Sequence, residues 1–172
     1  MKTLFVALRS LIYMTGFLAL WGWAALSVRV FDPLLGIALP PWARAAGIVL
    51  MLPGTVLGFW CVGEFIARGR GTPAPFDAPR AFVAAGPYRF VRNPMYVGGL
   101  TFLTGFGLYA HSISILILAV ALFLVAHLFV VFYEEPTLRK RFGATYDAYC
   151  RDVRRWKFRP PKSSPSHGTQ AI

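Results

Sequence analysis

The run from Ile113 to Phe132 holds twenty residues, and only Ser114 and His127 interrupt its apolar character. A helix of that length covers about 30 Å, the thickness of a bilayer's hydrocarbon core, so the run predicts a membrane span. Three more stretches share this character: Leu11 to Val28, about Ala45 to Val62, and Tyr96 to Ala110. The last is short, about 22 Å at the helical rise, and crosses comfortably only if Asn93-Pro94 starts it early or the membrane thins. With 56% hydrophobic and 15% charged residues and a mean hydropathy of +0.55, the chain is too apolar for an ordinary soluble domain. These features predict an all-α integral membrane bundle of four transmembrane helices followed by an amphipathic cytoplasmic helix. One domain is expected over residues 1–159, with a disordered Pro-, Ser- and Gly-rich tail over 160–172.

Charge sets the expected orientation. Sixteen of the eighteen Lys and Arg residues fall in the N-terminus, the second loop and the C-terminal region, against Arg29 and Arg44 on the opposite side. By the positive-inside rule, both termini and the second loop face the cytoplasm of a plasma membrane, or of an inner membrane in a bacterium. The net charge of +11 therefore points to an anionic membrane surface rather than nucleic acid, since no soluble basic module remains to hold a duplex. Cys61 and Cys150 stand far apart in different surroundings, which indicates neither a disulfide framework nor a metal site.

Along the chain, Pro53-Gly54 should kink the second span and open room for a ligand. Glu64 ends that span, either in an i,i+4 ion pair with Arg68 or against a polar substrate or cofactor group. Arg68 to Arg92 is a long basic loop with Pro73, Pro75 and Pro79, of a kind that usually binds something or covers a site. At its end, Asn93 is expected to cap a helix whose first turn holds Pro94. The positive end of that helix, with Arg92 beside it, suits an anion; the alternative is a plain loop-to-helix junction carrying interfacial arginines. Gly98, Thr101 and Gly105 share a face that admits another helix or a flat ligand.

The fourth span closes on Tyr133-Glu134-Glu135-Pro136. His127 and Glu134 lie two turns apart on one face. Two carboxylates at a helix C-terminus oppose its dipole, so something else must favour them: nearby arginines, or hydrogen bonds from a ribose or an amine. Thr137 to Val153 reads as the amphipathic helix, with Leu138, Phe142, Tyr146 and Tyr149 on one side and Arg139, Lys140, Arg141 and Arg151 on the other.

Two separated motifs, GPYRFVRNPMYVGG and EEPTLRKRFGATYDAY, together resemble the signature of the isoprenylcysteine carboxyl methyltransferase and phospholipid methyltransferase superfamily. GTPAPFD in the second loop and VRRW after the last helix also resemble bacterial members, so the similarity runs from about Glu64 to Arg159. Asn93 stands where the pattern usually has His, and Arg154 where it usually has Pro. The resemblance implies S-adenosylmethionine as cofactor, in a cytoplasmic pocket formed by Tyr88, Arg92, Asn93, Pro94, Tyr96 and Gly98 with Glu134 and Glu135. It further implies that Arg92 and Asn93 act at the reacting centre, that Glu134 or Glu135 takes ribose hydroxyls or the ammonium, and that Tyr146 and Tyr149 pack over the adenine. Glu64 and His127 are then expected on the acceptor side.

Methyl transfer from a sulfonium needs alignment and exclusion of water more than proton chemistry. The acceptor is expected to be lipid-like or otherwise membrane-partitioned. Carboxyl methyltransferases of this kind tend to carry an Arg a turn before the acidic pair, where this chain has Leu128-Phe129-Val130-Val131. That leaves a phospholipid headgroup amine as a second reading. A non-enzymatic membrane protein that binds anionic lipid is the reading from another class.

Overall fold

The computed structural model describes residues 2–64, 67 and 84–158, without the side chains of residues 2–11, 13, 14 and 17. The expected Glu64–Arg68 pair, most of the second loop and the 160–172 tail lie outside the described residues. Helix α1 (Lys2–Val28) passes through a 3-10 turn at Arg29–Phe31 into the short α2 (Asp32–Leu35). Helices α3 (Ala43–Glu64), α4 (Pro94–Tyr109) and α5 (Ile113–Phe129) come next, and a 3-10 turn at Gly86–Arg89 leads into α4. Five π-helical residues, Val130–Glu134, join α5 to α6 (Glu135–Asp152). Every regular element among the described residues is helical.

Among the described residues, three helices are long and apolar enough to cross a membrane: Leu18–Leu35, Ala43–Glu64 and the continuous helix that begins at Ile113. Large apolar side chains such as Val49, Leu52 and Val56 of α3 and Val120, Leu124 and Val125 of α5 stand exposed. That surface is stable against hydrocarbon and costly against water. Helix α4, at 16 residues, spans about 24 Å.

Backbone contact fixes α4 against α3. A Cβ built on Gly47 would lie 2.5 Å from the Gly105 carbonyl oxygen, and one on Gly54 would lie 2.6 Å from the Phe102 nitrogen. The early part of α3 thus meets the late part of α4, so the two run antiparallel, with Gly98 and Gly105 used for helix packing. At Gly54 itself the α4 backbone closes against α3, while Leu52, Thr55 and Val56 beside it line an apolar groove. Helix α3 continues through Pro53 to Glu64.

At the α4–α5 turn the core is apolar: Ala25, Leu103, Ile115 and Ala119 pack together, with Phe106 and Leu122 against them. His111 takes the left-handed conformation in this tight turn (φ 52°) and is exposed, as a solvated turn residue should be. The Ser112 hydroxyl accepts from the Ile115 N–H at 3.2 Å, and Asp32 Oδ1 accepts from the Ser114 N–H at 2.9 Å. Both satisfy donors at the start of α5 that the helix itself leaves unpaired. The chain after α1 is thereby tied to α5.

Candidate functional site

At the other end of α4 and α5 polar groups are buried among apolar ones. Val91 and Pro94 are fully buried, Asn93 is 7% exposed and Glu135 6% exposed. Pro94 opens α4, as its missing N–H allows. The Asn93 side chain, however, makes no capping bond. Its Nδ2 instead donates to the Arg155 carbonyl at 3.2 Å, an arrangement that no reading of local spacing could supply.

Glu135 is the hub of the charge. Arg155 grips it with two bonds, Nε to Oε1 at 2.7 Å and Nη2 to Oε2 at 2.9 Å. Arg92 Nη1 sits 2.9 Å from the same Oε1 and donates to Cys150 Sγ at 2.9 Å. Burial alone would raise the Glu135 carboxyl, but the Arg155 hydrogen bond and the charges of Arg92 and Arg155 outweigh it and hold it below the ordinary 4.5. The partner shifts in the matching direction: the Glu135 hydrogen bond raises the Arg155 guanidinium. Arginines are therefore what favours this carboxylate. The expected conflict with the helix dipole does not arise for Glu135, because the chain stays helical past it and places it in the first turn of α6.

Glu134 accepts from the Tyr96 hydroxyl at 3.3 Å. The π turn before α6 holds one residue more than an α turn, which rotates α6 by about 100° relative to an unbroken α-helix. Beyond it, Gly143 adopts φ 52°, ψ −130° and breaks α6 into two parts. That conformation favours glycine, and it lets the distal part turn back toward the start of α4. There, Tyr149 donates to the Tyr88 carbonyl at 2.7 Å, and the Arg92 N–H donates to the Arg154 carbonyl at 2.8 Å. The latter is a main-chain acceptor, which a proline at position 154 would supply equally well. Tyr146, 2% exposed, lies with its ring centroid 6.2 Å from that of Tyr149. Burial pushes both hydroxyls above the ordinary tyrosine range, so each remains a donor.

Beside Tyr96, Trp156 Nε1 donates to His127 Nδ1 at 3.0 Å. Accepting there puts the proton of a neutral His127 on Nε2. The Trp156 ring also meets Phe123 and Tyr96 edge-on, at centroid distances of 5.3 and 6.3 Å. Glu64 lies close enough to Gly86 that a Cβ there would fall 2.6 Å from its Oε1.

Of the residues expected from sequence, the structure brings Arg92, Asn93, Tyr96, Glu134 and Glu135 together, with Tyr88, Tyr146, Tyr149 and His127 around them. Gly98 instead packs on the α3 backbone, and Pro94 serves the helix start. Sequence reasoning missed Arg155, Trp156 and Cys150. The first two stand in VRRW, which is the one signal that could have found them, but charge alone places that segment in a uniform basic stripe. A groove of about 280 Å³ between Ile48, Met51, Leu52, Thr55, Val56, Phe102 and Tyr109 lies toward the opposite end of α4. Its apolar lining does not suit a charged nucleotide.

An α-helical membrane protein with an ion-paired polar mouth at one end of its bundle is the class these features define. A family model for phospholipid methyltransferases matches residues 42–145, well over half of the chain, and the chain belongs to that family. The match takes in α3, the Arg92-Asn93 turn and both glutamates; Cys150, Arg155 and Trp156 lie beyond it. No curated protein and no solved structure matches the chain.

Proposed function

We propose that this protein transfers a methyl group from S-adenosylmethionine to a lipid-like or membrane-partitioned acceptor. The reading rests above all on the meeting of Arg92 and Glu135, 2.9 Å apart, from two separate segments of a chain in the phospholipid methyltransferase family. The donor set fits such a cofactor. Arg92 Nε is buried without a hydrogen-bond partner among the described residues, and a carboxylate such as that of the cofactor's amino acid part would satisfy it. Glu134 or Glu135 suits the ammonium or the ribose hydroxyls, and Tyr149, beside the buried Tyr146, offers a ring to the adenine.

When bound, S-adenosylmethionine supplies an electrophilic methyl group on a sulfonium. The protein's part is to align and to exclude water. Arg92 and Asn93 fix one side of the mouth, while Trp156, Tyr96 and Phe123 wall the side toward the lipid. His127 presents its Nε2–H for an acceptor oxygen. In this proposal α4 is a fourth span beside the three longer ones. The positive-inside count then puts the mouth, both termini and the surface-lying α6 on the cytoplasmic side. An acceptor diffusing in the bilayer reaches it sideways.

Two observations favour a headgroup amine over a carboxylate as acceptor. Leu128, Phe129, Val130 and Val131 occupy the turn where an arginine would grip a carboxylate, and the aromatic wall beside Glu134 suits a cation. Titration of the purified protein with S-adenosylmethionine and with S-adenosylhomocysteine tests the cofactor. Saturable binding that weakens at least tenfold in Arg92→Ala is expected, and the absence of saturable binding would sink the reading. Incubating membranes with a methyl-labelled donor, then asking whether label enters phospholipid or a base-labile ester, separates the two acceptors.

A further inference from the structure

The two adjacent carboxylates are held in different ways. Both oxygens of Glu135 are taken, Oε1 by Arg155 and Arg92 and Oε2 by Arg155, and its side chain is 9% exposed. Releasing it would break a bidentate arginine pair and strand buried charge, which is costly. It would also disturb the bonds that the same segment makes to Arg92 and Asn93 through the carbonyls of Arg154 and Arg155. Glu134 accepts a single bond, at 3.3 Å, through Oε2. No cation lies within ion-pair distance of it among the described residues. Its Oε1 keeps its acceptor capacity.

We propose that the pair divides its work: Glu135 anchors the C-terminal segment through Arg155, and Glu134 is the carboxylate that meets the methyl donor's ammonium or ribose hydroxyls. This rests on the methyl-donor reading above. In it, Glu135 is a positioning residue that reaches the ligand only through the segment it holds, and Glu134 touches the ligand directly.

The experiment uses the full chain in nanodiscs, with S-adenosylhomocysteine as the calorimetric probe and hydrogen exchange of residues 153–156 in the ligand-free protein as the second readout. Glu134→Gln should weaken binding at least tenfold and leave exchange as in wild type. Glu135→Gln and Arg155→Gln should each raise exchange at least tenfold and lose equal affinity, and the double variant should be no worse than either. Arg155→Lys, which keeps the charge but not the two-bond grip, should fall between. Glu134→Gln that binds like wild type overturns the division of labour, as does Glu135→Gln that loses far more affinity than Arg155→Gln. Wild-type protein that binds neither S-adenosylmethionine nor S-adenosylhomocysteine overturns the methyl-donor reading instead, while the exchange data still test the anchor.

Discussion

The Asn93 side-chain amide donates to the main-chain carbonyl of Arg155, joining positions 62 residues apart at 3.2 Å. The start of α4 is thus held by the segment after α6 rather than by its own cap. Asn93→Ala should remove the donor and cost about 1 kcal/mol. Asn93→His keeps a ring N–H and should lose less. Unfolding midpoints of the two variants in nanodiscs, taken beside their affinity for S-adenosylhomocysteine, check the order.

The α3–α4 contact should tolerate no added methyl group. Gly47→Ala drives a Cβ to 2.5 Å from the Gly105 carbonyl oxygen and should destabilise by roughly 1–3 kcal/mol. Gly99→Ala, with nothing within 4 Å of the added atom, should be neutral or gain up to about 1 kcal/mol in helix propensity. Thermal unfolding of the two single variants gives the comparison.

Acid should release the C-terminal segment. The Glu135 carboxyl is held below its ordinary 4.5 in the folded protein. Its contribution to stability is therefore complete above that value and is lost as pH falls through the lower, folded-state one. Hydrogen exchange at residues 153–156 should stay slow at pH 6 and quicken below pH of about 4.5. In Glu135→Gln the acid-dependent rise should be much reduced, since the titrating group is gone.

Trp156→Phe keeps an aromatic ring near Phe123 and Tyr96 but deletes the donor to His127 Nδ1. The loss should be about 1 kcal/mol of stability. His127→Gln, which can still accept from Trp156, should retain more stability than His127→Leu, which cannot. Comparing unfolding midpoints of Trp156→Phe, His127→Gln and His127→Leu tests whether that hydrogen bond, rather than ring packing, is responsible.

The helices are legible in the sequence because lipid demands long apolar runs, and the short α4 is legible because Pro94 marks its start. The polar mouth is legible in part: Arg92, Asn93 and Glu135 announce themselves as polar groups at span ends. What Asn93 bonds to is not, because its partner is a main-chain carbonyl far along the chain and carries no residue type. Glu135 reads from sequence as a helix end because nothing in Tyr133-Glu134-Glu135-Pro136 declares that a π turn will carry the helix onward. Arg155 is lost among its basic neighbours, since charge count does not say which arginine turns inward. Gly143 gives no warning either, as a glycine in a helical pattern is compatible with a straight helix.

The fold-back at Gly143 also orders events during synthesis. Arg155 and Trp156 supply the contacts to Asn93, His127 and Glu135, so a ribosome must translate past Trp156 before the mouth exists. The helices through α5 are complete well before then. A chain ending near Cys150 would therefore keep the Arg92–Glu135 pair but lack Arg155, so that Glu135 would hold the start of α4 through one arginine and leave the second oxygen unmatched.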